Sequence, residues 1–448
     1  MSQQVDPSRI PELEAVVAMA LDEAKRAGAT QAEADASLQQ GLGVTVRLGE
    51  VETVEYQRDR GLGITVYFGQ RKGSASTADL GADSVRSTVA KACAIARYTA
   101  EDSCAGLAEP EFLAREFHDL QLDFPWELTP EAAITLAREC EHAGRAQDAR
   151  LANSEGASVN SQRGVRVYGN SHGFLAGDCG TSHSLSCVLL AQQGDDMQRD
   201  YWYTTARDPR DLEAAERVGQ LAGQRALSRL QARRVSTGKV PVLFAAEVAR
   251  GLMGHFIAAI RGSSQYRKAS FLLNAAGEQV FPAWLQIHER PHLPKGLASS
   301  NFDGEGVATR DRELVRDGVI DGYLLGSYSA RKLGLVTTGH AGGVHNLLID
   351  PSPDAPSQSN LLQRMGRGLL VTELMGQGVN GVTGDYSRGA SGFWIEDGAI
   401  AWPVHEVTIA GNLKEMYCGI EAIGADIDTR GGIQVGSVLL GEMTLAGE

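Results

Sequence analysis

VTELMGQGVNGVTGDYSRGASGFWIEDGAIAWPVHEVTIAGN, residues 371–412, sets eight glycines between short runs of β-forming residues, with one arginine, one histidine, no lysine and no cysteine. Glycine at that density in a folded chain marks positive φ or the close approach of another backbone. Inside the stretch, Asp397-Gly398 separates Phe393-Trp394-Ile395 from Ala399-Ile400-Ala401, which is a two-residue hairpin signal. The segment therefore predicts strands shaped for backbone contact, without a nucleophile or metal of their own.

Upstream, Val240 to Phe244 reads as an apolar strand, and Val248, Leu252, Met253, Phe256, Ile257 and Ile260 continue at helical spacing. Residues 237–448 are thus expected to form a mainly β domain with helices on its face. Residues 1–107 predict an α+β domain. Its first helix covers residues 10–27, two alternating strands follow (Leu42-Val44-Val46-Leu48 and Leu62-Ile64-Val66-Phe68), and a second helix covers residues 83–100. The acidic, proline-bearing residues 108–128 read as a linker. Thr129-Pro130 then opens a helix with a capping residue and proline at its first position. Strands at residues 164–169, 177–192 and 197–205 and a helix at 211–232 complete a central α+β domain, residues 129–236. Its order echoes the first unit, and GVRVYGNSHG loosely resembles GITVYFGQRKG, which hints at duplication. The fold class expected is α+β, with antiparallel hairpins and flanking helices in the N-terminal units.

The chain of 448 residues carries 56 acidic and 42 basic side chains, a net charge of −14, so its overall field repels phosphate backbones and nucleic acid is not expected as a direct partner. No run of 18 apolar residues occurs, and MSQQVDPSRIPELEAVV lacks the basic-then-apolar pattern of a secretion leader. Six cysteines, Cys93, Cys104, Cys140, Cys179, Cys187 and Cys418, are scattered without a Cys-x-x-Cys pair. That usage predicts reduced thiols in a cytoplasmic protein with no membrane attachment.

Three strings compete as chemical sites. His288-Glu289-Arg290-Pro291-His292 matches the H-E-x-x-H zinc pattern, which needs both histidines on one helix face. Pro291 opposes that helix, so a turn with exposed imidazoles is expected instead. Gly169-Asn170-Ser171-His172-Gly173 matches the G-x-S-x-G elbow, yet no helix pattern follows it, and a hairpin turn is expected. Gly339-His340-Ala341-Gly342-Gly343-Val344-His345-Asn346, preceded by Ser327-Tyr328-Ser329-Ala330-Arg331-Lys332, reads as a glycine-rich loop near a substrate groove or at the surface. Its two histidines, five apart, are not expected to project together as metal ligands.

GLGITVYFGQRKGSAS (61–76), YRKASFLL (266–273), SYSARKLGL (327–335), TELMGQGVNGVTGDYSRGASGFWIEDG (372–398) and TIAGNLKEM (408–416) resemble the TldD/PmbA family, within it the PmbA branch, also called TldE. The resemblance runs over essentially the whole chain. It implies a heteromeric, cytoplasmic zinc peptidase that trims unfolded peptides, including peptide-antibiotic precursors and antitoxins. Members were first named as modulators of DNA gyrase. In the TldD branch, zinc sits on a His-Glu-x-x-x-His helix after an apolar strand, with a cysteine near the C-terminus, in a cavity enclosed by two subunits.

Position by position, that ligand set is missing. Ala246 stands in place of the first histidine, Glu247 keeps the glutamate, Gly251 replaces the second histidine, and no cysteine follows Cys418. The expectation is a chain with no catalytic residue, metal or cofactor of its own, zinc being held by a TldD-like partner. Glu247 remains as a lone carboxylate, in contact with peptide or partner or hydrogen-bonded in the core. His255, nine residues after Ala246, reads as a packed helix histidine. His340, His345, Asp385, Tyr386, Ser387 and Arg388 are further candidates for contact with peptide or partner, the last four as a strand edge or wall for extended substrate. A homodimer when the partner is absent is expected to use the same interface. Two other readings are an interaction protein that modulates DNA gyrase or a toxin-antitoxin system, and an independent hydrolase using His288 and His292 or Ser171.

Overall fold

A computed structural model describes residues 5–447. Residues 1–4, which begin the stretch read above for a leader, lie outside the described residues. In chain order the elements of the N-terminal half are α1 (Ile10–Arg26), β1 (Gln31–Arg47), β2 (Glu50–Phe68), β3 (Arg71–Thr77), α2 (Ala82–Tyr98), α3 (Pro130–Arg145), β4 (Asn153–Asn170), β5 (Leu175–Gln193), β6 (Asp196–Ala206) and α4 (Ala215–Ser228). Helix, three strands, helix thus occurs twice. The two units share one sheet, ordered β3-β2-β1-β4-β5-β6, because β1 and β4 pair antiparallel from Glu33↔Asn170 to Val46↔Ala157.

Alternation decides which face each helix covers. Ala32, Ala34 and Ala36 point from β1 into the core under α1 and α2, while Leu42, Val44 and Val46 further along the strand pack with α3 and α4. The shared β1–β4 seam therefore lies over two separate cores. Helices α3 and α4 cross closely, since a Cβ on Gly219 would fall 1.8 Å from the Cys140 carbonyl oxygen.

Residues 108–128 are irregular, as expected of a linker, but they are not free. Ala108, Leu113, Ala114 and Leu120 are buried, Leu113 bridges Val307, and Asp123 pairs with Arg163. The segment straps the first sheet to the C-terminal region. Its apolar residues lack any period, so composition alone concealed their burial.

The C-terminal region contains β7 (Gly238–Phe244), α5 (Ala246–Ile260), α6 (Gly262–Tyr266), β8 (Ile287–Glu289), β9 (Arg312–Arg316), β10 (Val319–Ile320), α7 (Ser327–Leu333), β11 (Leu347–Ile349), α8 (Gln358–Met365), β12 (Gly368–Met375), β13 (Asp385–Glu396), β14 (Ala399–Asn412), α9 (Leu413–Cys418), β15 (Ile420–Ile423), β16 (Ile433–Gln434) and β17 (Val438–Ala446). One sheet runs β14-β13-β12-β7-β17-β15, and β14 also pairs with β17, so its first five strands close on themselves. A smaller sheet, β10-β9-β8-β11-β16, packs with α5 and this barrel around Phe244, Phe256, Phe281 and Tyr417. Asp397 and Gly398 both take positive φ at the β13–β14 turn, as their hairpin signal requires. Gly392 lets β13 approach β12, where a Cβ would lie 1.8 Å from the Leu370 carbonyl oxygen.

Candidate functional site

Strand β7 delivers the chain into α5, and the Ala245 N–H donates to the Val371 carbonyl at 3.0 Å, which fixes the turn against β12. Ala246 is buried at the helix start, and a side chain on Gly251 would meet nothing within 4 Å. The room for a ligand at Gly251 exists, but neither residue carries a donor atom. Glu247, expected as a lone carboxylate, is paired: its Oε1 accepts from Arg225 Nη1 at 2.7 Å. Arg225 Nε also donates to Asp200 at 3.2 Å, Arg229 Nε donates to Asp200 at 2.6 Å, and Arg229 reaches on to Glu373. Trp202 stacks beneath Arg225 and Arg430, at 5.4 and 4.0 Å from its ring centre. These arginines come from α4 and a distant loop, so no local pattern announced them.

The glycine-rich strand is not an open edge. Asp385 to Arg388 pair with Asn412 to Ile409 on one side, while the Ser387 N–H donates to the Gly378 carbonyl at 2.6 Å on the other. Both sides of residues 385–388 are thus occupied within this chain, which leaves no free edge there for strand addition. Asp385 and Ser387 face outward; Tyr386 is buried against His255, ring centres 6.1 Å apart. Burial, then the Arg388 charge, lowers the His255 pKa, consistent with a packed helix histidine.

His288-Glu289-Arg290-Pro291-His292 forms no helix; Pro291 and His292 make the expected turn, but both imidazoles are half-buried rather than exposed. His288 and Glu289 lie in β8, where His288 sits between Glu313 and Asp350 and the Glu289 side chain is 1% exposed. His292 bonds Thr309 at 3.1 Å and stacks on His118. Ser171 occupies the β4–β5 hairpin, its hydroxyl accepting from the Ala32 N–H at 3.0 Å, with no helix behind it.

The expectation that His340 and His345 do not converge is wrong. His340 Nε2 lies 2.7 Å from Glu289 Oε2, His345 Nδ1 lies 3.4 Å from Oε1, and the His345 N–H donates to Oε1 at 2.7 Å. Burial alone pushes the Glu289 carboxyl upward, but the two histidines outweigh it and hold the pKa down at about 2. Loop reversal at Gly342 and Gly343, both at positive φ, brings the second histidine back onto the same carboxylate. Helical spacing was the wrong template for a loop.

A cleft runs between the first sheet and α7. Glu33 leaves β1 on the face opposite Ala32 and Ala34, and accepts from Tyr67 Oη at 3.1 Å and Tyr168 Oη at 2.9 Å. Burial raises its pKa despite both donors. Glu33, Tyr67, Lys72, Asp102, Glu305, Tyr328 and Lys332 line a cavity of about 810 Å³. Glu305 and Tyr328 also border a second one of about 310 Å³, closed by Arg261, Tyr266, His340 and Gly343. The sequence reading singled out Tyr328 and Lys332 but missed Glu33 and Glu305; acids alternating with alanines along β1 were the available signal for Glu33.

Three domain models of the PmbA/TldA metallopeptidases match the chain in order: domain 1 over residues 32–96, the central domain over 123–230 and the C-terminal domain over 237–447. The chain is 54% identical to the metalloprotease PmbA of Escherichia coli O157:H7, over 93% of its own length and 92% of that protein. It belongs to the PmbA/TldD family.

The family extends to a Haemophilus influenzae metalloprotease TldD homolog, 23% identical over 84% of this chain and 81% of that one. A Bacteroides thetaiotaomicron structure named as a candidate modulator of DNA gyrase superposes with a TM-score of 0.93 at 26% identity, over 98% of this chain and all of that one. TldE of Thermococcus kodakarensis shares the fold, with a TM-score of 0.84 at 19% identity over 96% of this chain and 100% of its own. The family name implies a metal; at the α5 positions that the resemblance to the TldD branch points to, Ala246 and Gly251 carry no donor atom and Glu247 is bound by Arg225, so these residues do not fit one. No step through a metal at α5 follows from this chain.

Proposed function

We propose that this chain is the subunit without α5 zinc in a heteromeric, cytoplasmic peptidase, working beside a zinc-bearing TldD-like partner. Its task is to close the chamber and hold unfolded peptide while the partner cleaves it. The observation that carries this reading is α5 itself: the ligand positions are alanine and glycine, and the remaining carboxylate is neutralised by Arg225 at 2.7 Å. A carboxylate so paired is unavailable as a general base until the arginine leaves. The cleft beside Glu33, Glu305 and Tyr328 offers acceptors for peptide N–H and ammonium groups. Alone, the chain pairs with itself through the surface that otherwise meets the partner.

Mixing decides the matter. A TldD-like partner and this chain together are expected to cleave an unstructured peptide much faster than either alone. A partner that cleaves equally fast by itself sinks the subunit reading and leaves an interaction protein, of the kind the Bacteroides name suggests.

A further inference from the structure

Glu289, His340 and His345 are the one group of three among the described residues whose ligand atoms, within 4.8 Å of one another, suit a metal ion. We infer that they form a binding site for a divalent, zinc-class cation, separate from α5, with one coordination position left open.

The contacts around His340 show which nitrogen faces the site. Thr338 Oγ1 accepts from the Leu325 N–H at 2.8 Å, its own proton has the Leu325 and Tyr323 carbonyls to go to, and His340 Nδ1 lies 2.9 Å from the same oxygen. Nδ1 is thus engaged by Thr338, and Nε2 is the nitrogen that faces Glu289 Oε2, at 2.7 Å. A metal binding there would take the place of the proton that Nε2 and the carboxylate share at that distance. His345 adds a second imidazole nitrogen 3.4 Å from the other carboxylate oxygen.

Tetrahedral zinc with ligands at about 2.0–2.1 Å spaces its donor atoms about 3.3 Å apart, so small shifts of His340 and His345 admit the ion. Two imidazoles and one carboxylate are a donor set that zinc accepts with a fourth position for water. The side chains of Glu289 and His340 are 1% and 2% exposed, which excludes bulk water from the ligands. Access comes from the side of His340, which borders the 310 Å³ cavity with Glu305 and Tyr328. Buried Arg312 acts on Glu289 through its charge, but it is shared with Asp321, and the hydrogen bond it makes there goes to the Tyr323 carbonyl. The bound ion would pin the loop carrying His340 and His345 to β8, and so fix one wall of the cleft.

The site is independent of the subunit reading, and the test keeps them apart. The full chain is stripped with a chelator, titrated with zinc and with cobalt, and read by metal analysis, cobalt absorption and thermal melting. One metal per chain, a cobalt spectrum of low symmetry and a rise in Tm with zinc are expected. Glu289→Gln and His345→Asn lose all three, whereas His288→Asn keeps them. His345 is the most exposed of the three ligands, at 12%, so its variant tests binding where Glu289→Gln fails to fold. A folded wild-type chain that takes up no zinc, or a His345→Asn chain that binds as before, overturns the proposal. Partner-dependent proteolysis is measured separately: its absence in a zinc-binding chain refutes the subunit reading alone, and its presence in a chain without zinc refutes only the site.

Discussion

Arg225 holds Glu247 at 2.7 Å and Asp200 at 3.2 Å, and the Asp200 side chain is 3% exposed. Removing one partner of a buried ion pair leaves an uncompensated charge, which costs about 3–5 kcal/mol. Arg229 still serves Asp200, so Arg225→Ala is expected to lose about 2–3 kcal/mol in urea unfolding, and the added change Glu247→Gln to restore part of it. Additive losses in the double variant would show that the pair is not coupled. A second residue sets a pH dependence. Burial first, and the Glu305 charge next, raise the Asp303 carboxyl to about 6 although three backbone N–H groups donate to it. A raised carboxyl binds its proton more tightly in the folded chain, so its contribution is full below the ordinary value of 3.8 and is lost as pH climbs through about 6. Two pKa units correspond to about 3 kcal/mol. Glu305→Gln should therefore lose less stability than the wild type between about pH 4 and pH 7, and equal losses would refute the coupling. Neither Arg225 nor Asp303 stood out in the sequence. Their partners are set by sheet edges and loops, whereas Ala246 and Gly251 were singled out by the resemblance to the TldD branch's ligand helix.

At the scale of elements, periodic segments were legible and aperiodic ones were not. Helix α1 ends within a residue of its pattern because Leu13, Val17, Ala20 and Ala24 line one buried face. Strand β2 was read only from Leu62 onward, because residues 50–60 are exposed on both faces and show no alternation. The convergence of His340 and His345 on Glu289 was missed for a related reason: they belong to a loop whose geometry no period describes. Helix α5 supplies the test here. Gly251 lies in its exposed interior with open space where a Cβ would go, so Gly251→Ala should stabilise the isolated chain by about 0.5–1 kcal/mol. Thermal melting checks it. A lower Tm would mean that α5 does not tolerate a side chain there, and the comparison of that position with a lost histidine would fail.

Over the whole molecule, the α+β class and the β-rich C-terminal region followed from patterning, but the joining of both N-terminal units into one sheet did not. Pairing β1 with β4 depends on contacts between residues more than a hundred positions apart, such as Thr45 Oγ1 with Ser158 Oγ at 2.9 Å, and no local period encodes them. One of the clusters that hold that sheet to the C-terminal region lies on α7. Arg331 donates to the carbonyl oxygens of Cys104 at 3.2 Å, Gly106 at 3.1 Å and Leu107, and to Glu109 at 2.8 Å. Lys332 and Tyr328 add Asp102, at 2.9 and 2.6 Å. Hydrogen bonds from a charged donor are worth about 1.5–3 kcal/mol each when made to buried groups, and exposed pairs such as Lys332 with Asp102 about 0–1 kcal/mol. Arg331→Ala is thus expected to cost about 3 kcal/mol and to act on the junction more than on either core. In calorimetry the N-terminal half should unfold at a lower temperature in the variant, separating from the C-terminal transition, while Lys332→Ala leaves the profile nearly unchanged. Cleft and junction share Tyr328 and Lys332, so the peptide binding proposed for the cleft should weaken in step with that separation. An Arg331→Ala chain that melts as the wild type does would place the hold between the halves elsewhere, on the arginines around Asp200.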